Sequence, residues 1–202
     1  MTLDRLRPMA SRVLDPLVVA ATRVGATPDT VSVVAFALAL AAGGAFYLGA
    51  SDPLWYLLGA LLVFFNGWLD LLDGALARHL GTESAAGDLL DHVLDRYADL
   101  AMLVGLAAGV GQWALGLLAV TGVLMTSYLG TQAQAVGLDR VYGGLVGRAD
   151  RLAIIGLVTA AAAFVTGSVV GLTLVGWLLV FFAVVGHVTA LQRFYYSMRA
   201  LA

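Results

Sequence analysis

The sequence predicts an all-α integral membrane protein: a bundle of six transmembrane helices preceded by an N-terminal amphipathic helix in the membrane interface. Three observations lead there. Of 202 residues, 61% are apolar and only 12% are charged, whereas a soluble domain is about 45–50% apolar and about 25% charged. Apolar runs near the length needed to cross a bilayer, about 20 residues, recur along the whole chain. The arginines fall on alternate connections, the pattern expected of a multi-pass protein.

Each element follows in order. Residues 1–24 mix Arg5, Arg7, Arg12 and Arg23 with Leu3, Leu6, Leu14, Leu17, Val18 and Val19 at helical spacing. They lack the compact apolar core and cleavage site of a signal peptide, and they suit a helix lying at the membrane surface. The six spans are expected over about 31–50, 54–77, 87–110, 113–135, 152–166, and from about 171 into Phe194 or beyond. Residues 27–199 then form the bundle, and 1–202 is one domain. Ser51-Asp52-Pro53, residues 109–112 and Thr166-Gly167-Ser168 are short turns without an arginine. Arg78, Arg140, Arg148, Arg151, Arg193 and Arg199 share the side of the N-terminal arginines. Arginine-rich connections stay in the cytoplasm, so both termini are expected there, in the cell membrane.

Several chemistries are excluded. There is no cysteine, hence no disulfide, thiolate metal site or cysteine nucleophile. No basic cluster of the density needed for nucleic acid exists.

The charge at membrane depth is concentrated in Asp70, Asp73, Arg78, Asp88, Asp91, Asp95, Arg96 and Asp99. One aspartate at mid-membrane costs about 2.5–3.5 kcal/mol, so these must face a polar cavity, a metal or one another. Asp70 and Asp73 are three apart and share a helix face; Asp91 and Asp95 are four apart and share another, which Asp88 can extend. The connection between the two spans is short, so the helices are expected to be antiparallel neighbours with acidic faces meeting. Converging carboxylates need a cation. Oxygen-only donors suit Mg²⁺, Mn²⁺ or Ca²⁺, and Mg²⁺ in particular favours a few carboxylates plus substrate phosphates. Gly74, Ala77 and Gly87 leave room for a ligand near backbone, and Arg78 suits phosphate oxygens.

The spacing Asp70-x2-Asp73-Gly74-x2-Ala77-Arg78-x8-Gly87-x3-Asp91-x3-Asp95 resembles the signature of the CDP-alcohol phosphotransferase family at every fixed position. The resemblance implies a homodimer, a CDP-linked donor lipid, and one or two Mg²⁺ or Mn²⁺ ions. It implies metal ligation by Asp70, Asp73 and Asp91. Asp95 becomes the base that deprotonates the acceptor hydroxyl, also near metal. Gly74, Ala77, Arg78 and Gly87 become the CDP-binding elements. Thr27-Pro28-Asp29 resembles the family's entry to the first span, near the nucleotide; read alone, Thr27 and Pro28 are an ordinary helix start.

Ser127-Tyr128, Arg148-Ala149-Asp150-Arg151-Leu152 and Gln192-Arg193 resemble the phosphatidylinositol-phosphate and archaetidylinositol-phosphate branch. There Arg148, Arg151 and Arg193 would hold the phosphate of a phosphorylated acceptor. Gly130, Gln132 and Gln134 depart from the Lys-x-Arg-x-Glu pattern of that branch, which keeps glycerol phosphate open beside inositol phosphate. The donor is CDP-diacylglycerol or CDP-archaeol.

Other readings stand beside these. An unphosphorylated acceptor such as serine would leave the three arginines idle. Carboxylates can line a cation transporter's route, but that function needs no Gly74, Ala77, Arg78 and Gly87 at set spacing. For the three arginines the plainer role is topology and lipid headgroups. Asp88 is expected to cap the third span, Asp99 to pair with Arg96, and His79, His92 and His187 to be structural. Gly43-Gly44 is expected to permit close helix packing.

Overall fold

The computed structural model describes residues 7–138 and 145–202. Seven α-helices fill those residues: α1 Arg7–Arg23, α2 Pro28–Leu48, α3 Leu54–Leu80, α4 Ala85–Gly109, α5 Trp113–Ala135, α6 Arg148–Ala162 and α7 Leu174–Leu201. A two-stranded antiparallel hairpin, β1 Ser168–Val169 and β2 Leu172–Thr173, precedes α7. Arg5 and Arg140, two of the expected topology arginines, lie outside the described residues.

Local chemistry sets the helix ends. Thr27 caps α2, its side chain accepting from the Thr30 amide at 3.2 Å, with Pro28 in the first turn. Gly81 ends α3 in the left-handed region at φ 62°, where glycine carries no Cβ penalty. Ser84 caps α4 by accepting from the Gly87 amide at 3.1 Å. Asp88, expected as that cap, instead sits in the first turn, where its charge favours the helix dipole. The fifth expected span is shifted: α6 starts at Arg148, with Asp150 accepting from the Gly147 amide at 3.0 Å, and stops at Ala162.

By length and composition α2, α3, α5 and α7 can each cross a membrane, and the chain is a multi-pass membrane protein. In the other two long elements the simple apolar pattern is broken. α4 carries Asp88, Asp91, Asp95, Arg96 and Asp99, and α6 has 15 residues.

α2 packs against both α3 and α4, α6 packs on α3, and α5 packs along α7. The core between them buries Phe46, Met102, Leu106, Leu179 and Phe182. α1 lays Leu14 and Val18 against Val31, Leu72 and Leu76. Small residues permit the closest approaches. A Cβ on Gly186 would stand 2.8 Å from the Gly122 carbonyl carbon, and one on Gly43 would stand 2.9 Å from that of Ala101. Gly44, paired with Gly43 in the expectation, faces open space.

One expectation needs correcting. α3 and α4 are not packed against each other backbone to backbone; among the described residues α2 is the helix that contacts both. Carboxylates repel at close range, and the wedge of α2 lets the two acidic faces meet across a cleft rather than a tight helix seam.

Candidate active site

The cleft takes its carboxylates from α3 and α4. One oxygen each from Asp70, Asp91 and Asp95 lies within 4.8 Å of the others, and all three side chains are half-buried. Helical spacing explains this: Asp91 and Asp95 stand one turn apart on α4 and reach towards the face of α3 that carries Asp70. Asp73 borders the same cleft. It is buried, and its Oδ2 accepts from Ser32 Oγ of α2 at 2.6 Å. These donors are all oxygen, so the trio can hold a hard divalent cation with Asp73 beside it.

Arg148 enters this cluster from α6. Its guanidinium bonds Asp70, and its Nη2 stands 2.5 Å from Asp95 Oδ1. Packing of α6 on α3 and the Gly147–Asp150 turn put it there. The other oxygen of Asp95 lies 3.5 Å from Arg96 Nη2. Asp95 is thus held by cations from two helices.

The other two arginines of the expected acceptor site bond other groups. Arg151 is buried and donates from Nη2 to Asp99 Oδ2 at 2.7 Å. Arg193, also buried, donates from Nη1 to the Thr126 carbonyl at 2.7 Å. Arg151 and Thr126 border a second pocket among α5, α6 and α7. Asp99 and Arg96 also approach each other as expected, at 3.9 Å, but Arg151 is the tighter partner.

The expected nucleotide elements share one end of the molecule. Gly74 has Arg78 folded towards it: a Cβ on Gly74 would lie 3.4 Å from Arg78 Nη1. A Cβ on Gly87 would lie 3.8 Å from Asp29 Oδ1. The N-terminal turns of α2 and α4 are therefore side by side, with Thr27 and Pro28 opening the first of them. Ala77 is half-buried one position before Arg78. His92 Nδ1 contacts the Asp88 carbonyl at 2.6 Å, and His187 Nε2 lies 3.4 Å from Thr121 Oγ1. Both contacts fit the structural roles expected of them.

Sequence reasoning missed Ser32, Asn66 and the Asp99–Arg151 pair. Asn66 had a signal, as a lone polar residue in the apolar run Val63-Phe64-Phe65-Asn66-Gly67 one turn before Asp70. Ser32 is indistinguishable in sequence from an ordinary helical serine.

Known proteins match this arrangement. The family model for CDP-alcohol phosphatidyltransferase matches residues 25–189. The archaetidylinositol phosphate synthase of Methanothermobacter thermautotrophicus is 31% identical over 98% of this chain and 95% of its own. The phosphatidylinositol phosphate synthase of Streptomyces avermitilis is 35% identical over 78% of this chain and 65% of its own. Among solved structures, Mycobacterium tuberculosis phosphatidylinositol phosphate synthase (PgsA1) in complex with manganese and citrate superposes with a TM-score of 0.79 at 27% identity, covering 92% of this chain and 88% of that one. The same enzyme with CDP-DAG bound gives a TM-score of 0.76 at 29% identity, covering 92% and 94%. With a family model covering most of its length and a full-length relative, this chain belongs to the CDP-alcohol phosphatidyltransferase family.

Proposed function

We propose that this protein transfers a phosphatidyl or archaetidyl group from CDP-diacylglycerol or CDP-archaeol to the hydroxyl of a small phosphorylated polyol, inositol phosphate or glycerol phosphate, and releases CMP. The convergence of Asp70, Asp91 and Asp95 within 4.8 Å carries the reading. Relatives named archaetidylinositol phosphate and phosphatidylinositol phosphate synthase, and the PgsA1 structures with manganese and with CDP-DAG, support it.

The all-oxygen donor set fits Mg²⁺ or Mn²⁺, and Asp70, Asp73, Asp91 and Asp95 would hold one or two such ions. When bound, the metal supplies neutralisation of the charge that develops on the pyrophosphate as CMP leaves. Thr27, Pro28, Gly74, Ala77, Arg78 and Gly87 receive the CDP moiety. Two helix N-termini favour an anion there, and Arg78 is free of carboxylate partners among the described ion pairs. Arg148, Arg151 and Arg193 bind the acceptor phosphate through charge-assisted hydrogen bonds. Asp95 takes the proton of the acceptor hydroxyl. That oxygen attacks the lipid-bearing phosphorus, and the bond from this phosphorus to the CMP oxygen breaks. No protein nucleophile is used.

In the membrane we place α2 to α7 as six spans, with both termini and the active site on the cytoplasmic side of the cell membrane. α1 is the interfacial helix: its buried Leu14 and Val18 hold it to the bundle, while Leu17 and Val19 stay exposed to lipid. Residues 1–202 act as one domain, 1–24 interfacial and 27–199 the bundle, and two copies form a homodimer as the family resemblance implies.

The test is CMP release by purified protein with Mg²⁺ or Mn²⁺, pairing each donor with inositol phosphate, glycerol phosphate, inositol and serine. Release with a phosphorylated acceptor alone is expected. Release with only serine or free inositol overturns the acceptor reading, and metal-dependent cation flux without CMP release overturns the enzyme.

A further inference from the structure

We propose that Asn66 is a positioning residue of the metal site, its side-chain oxygen accepting a hydrogen bond from water in the hydration shell of the divalent ion. The proposal rests on the metal-site reading above and adds a residue that the aspartate signature does not contain.

Asn66 is 1% exposed. Its Nδ2 donates to the Ala35 carbonyl of α2 at 2.9 Å. A carbonyl only accepts, so this bond settles which end of the amide faces α2. The other end, Oδ1, is buried without a partner. Buried polar atoms are nearly always satisfied, and an orphan is costly unless something answers it.

The surroundings say what can. Asn66 borders the cleft together with Asp70, Asp73, Asp91, Asp95 and Arg148. It precedes Asp70 by one helical turn and Asp73 by two, on the same face of α3. Carboxylates offer Oδ1 no proton when ionised. Ser32 Oγ is bonded to Asp73 at 2.6 Å. Arg148 directs its two terminal nitrogens to Asp70 and Asp95, and its Nε, buried without a partner, does not donate to Oδ1. None of the described groups donates to Oδ1, which leaves the place to a donor that enters the cleft. Water bound to a divalent cation is a strong donor, and Mg²⁺ usually keeps several such waters. Groups that accept from them orient the ligand sphere and tune affinity. A neutral oxygen suits a cleft that already holds four carboxylates, where another negative charge would add repulsion.

The experiment measures Mn²⁺ affinity, from the electron paramagnetic resonance signal of free Mn²⁺, on purified wild type, Asn66→Leu, Asn66→Asp and Asp70→Asn. Asn66→Leu is expected to bind about 10–100-fold more weakly. Asn66→Asp keeps an oxygen towards the cleft and is expected to bind at least as tightly as wild type. A carboxylate cannot donate to the Ala35 carbonyl, so a residue that merely ties α3 to α2 would make Asp as damaging as Leu. Equal weakening of both variants, or wild-type affinity in Asn66→Leu while Asp70→Asn loses binding, overturns the proposal. Wild-type affinity in Asp70→Asn overturns the metal-site reading itself. Should Asn66→Leu not fold, about tenfold weaker binding by Asn66→Asp is sufficient to reject the assignment.

Discussion

Arg148 of α6 bridges the two acidic helices: its Nη2 stands 2.5 Å from Asp95 Oδ1 on α4, and the same guanidinium bonds Asp70 on α3. A planar fork can serve two carboxylates at once, and a lysine ammonium serves them as a single point charge. Arg148→Leu is expected to lower kcat/KM by about 100-fold or more, equivalent to about 2.7 kcal/mol of transition-state stabilisation. Arg148→Lys should retain part of the activity with a raised KM for the acceptor. Leucine also leaves Asp70 and Asp95 without that cation, so Mn²⁺ should raise the melting temperature of Arg148→Leu more than that of wild type. CMP-release kinetics and thermal unfolding in detergent check both points. Unchanged acceptor kinetics in Arg148→Lys and Arg148→Leu would remove Arg148 from the acceptor site.

Asp99 and Arg151 form a pair whose side chains are 3% and 5% exposed. Removing one member of such a pair strands a buried charge, at a cost of about 3–5 kcal/mol. Asp99→Leu and Arg151→Leu are each expected to lower the midpoint of unfolding substantially, with or without divalent metal. Asp99 is not in the metal cluster, so Asp99→Leu should keep Mn²⁺ affinity in whatever fraction remains folded. Loss of metal binding without loss of stability would mean that Asp99 belongs to the metal site after all.

Much of this architecture was legible beforehand because membrane proteins write their constraints plainly. The apolar runs located α2, α3, α4, α5 and α7 to within a few residues, and the spacing of Asp70, Asp91 and Asp95 announced a shared cluster. Three things were hidden. The ends of α6 depend on a local bond between Gly147 and Asp150 and on the hairpin before α7, neither of which a hydropathy run registers. The wedging of α2 between the acidic helices is a tertiary choice, invisible to the length of the connection at 81–84. Arg151 and Arg193 bond groups 52 and 67 residues away, and one-dimensional spacing does not register such bonds.

Orientation can be tested directly, because the chain has no cysteine. Single cysteines at Ser51, Gly111 and Gly167 probe the short turns, and cysteines at Glu83 and Gly137 probe the arginine-bearing side. A membrane-impermeant maleimide applied to intact cells should label the first group alone. Permeabilisation should then expose the second. The reverse pattern would invert the topology and move the active site outside. Labelling of Gly111 on the opposite side from Ser51 would instead break the six-span count, because those turns are separated by α3 and α4.

Asp95 carries the sharpest chemical assignment. It is the last aspartate of the motif and stands between Arg148 and Arg96, so its carboxylate has cations on both oxygens. Those contacts fix where the carboxylate points, beside the Arg148 that we assign to the acceptor phosphate. Asparagine preserves shape and most contacts but cannot accept a proton. Asp95→Asn should therefore depress turnover by about 10²–10⁴-fold, while CDP-lipid binding and Mn²⁺ affinity stay much nearer to wild type than in Asp70→Asn. Calorimetric titration of donor and metal, beside CMP release, separates the two roles. If Asp95→Asn loses metal as severely as Asp70→Asn does, Asp95 is chiefly a ligand. The proton must then leave by another route, for which Asp91, within 4.8 Å of Asp95 in the same cluster, is the next candidate.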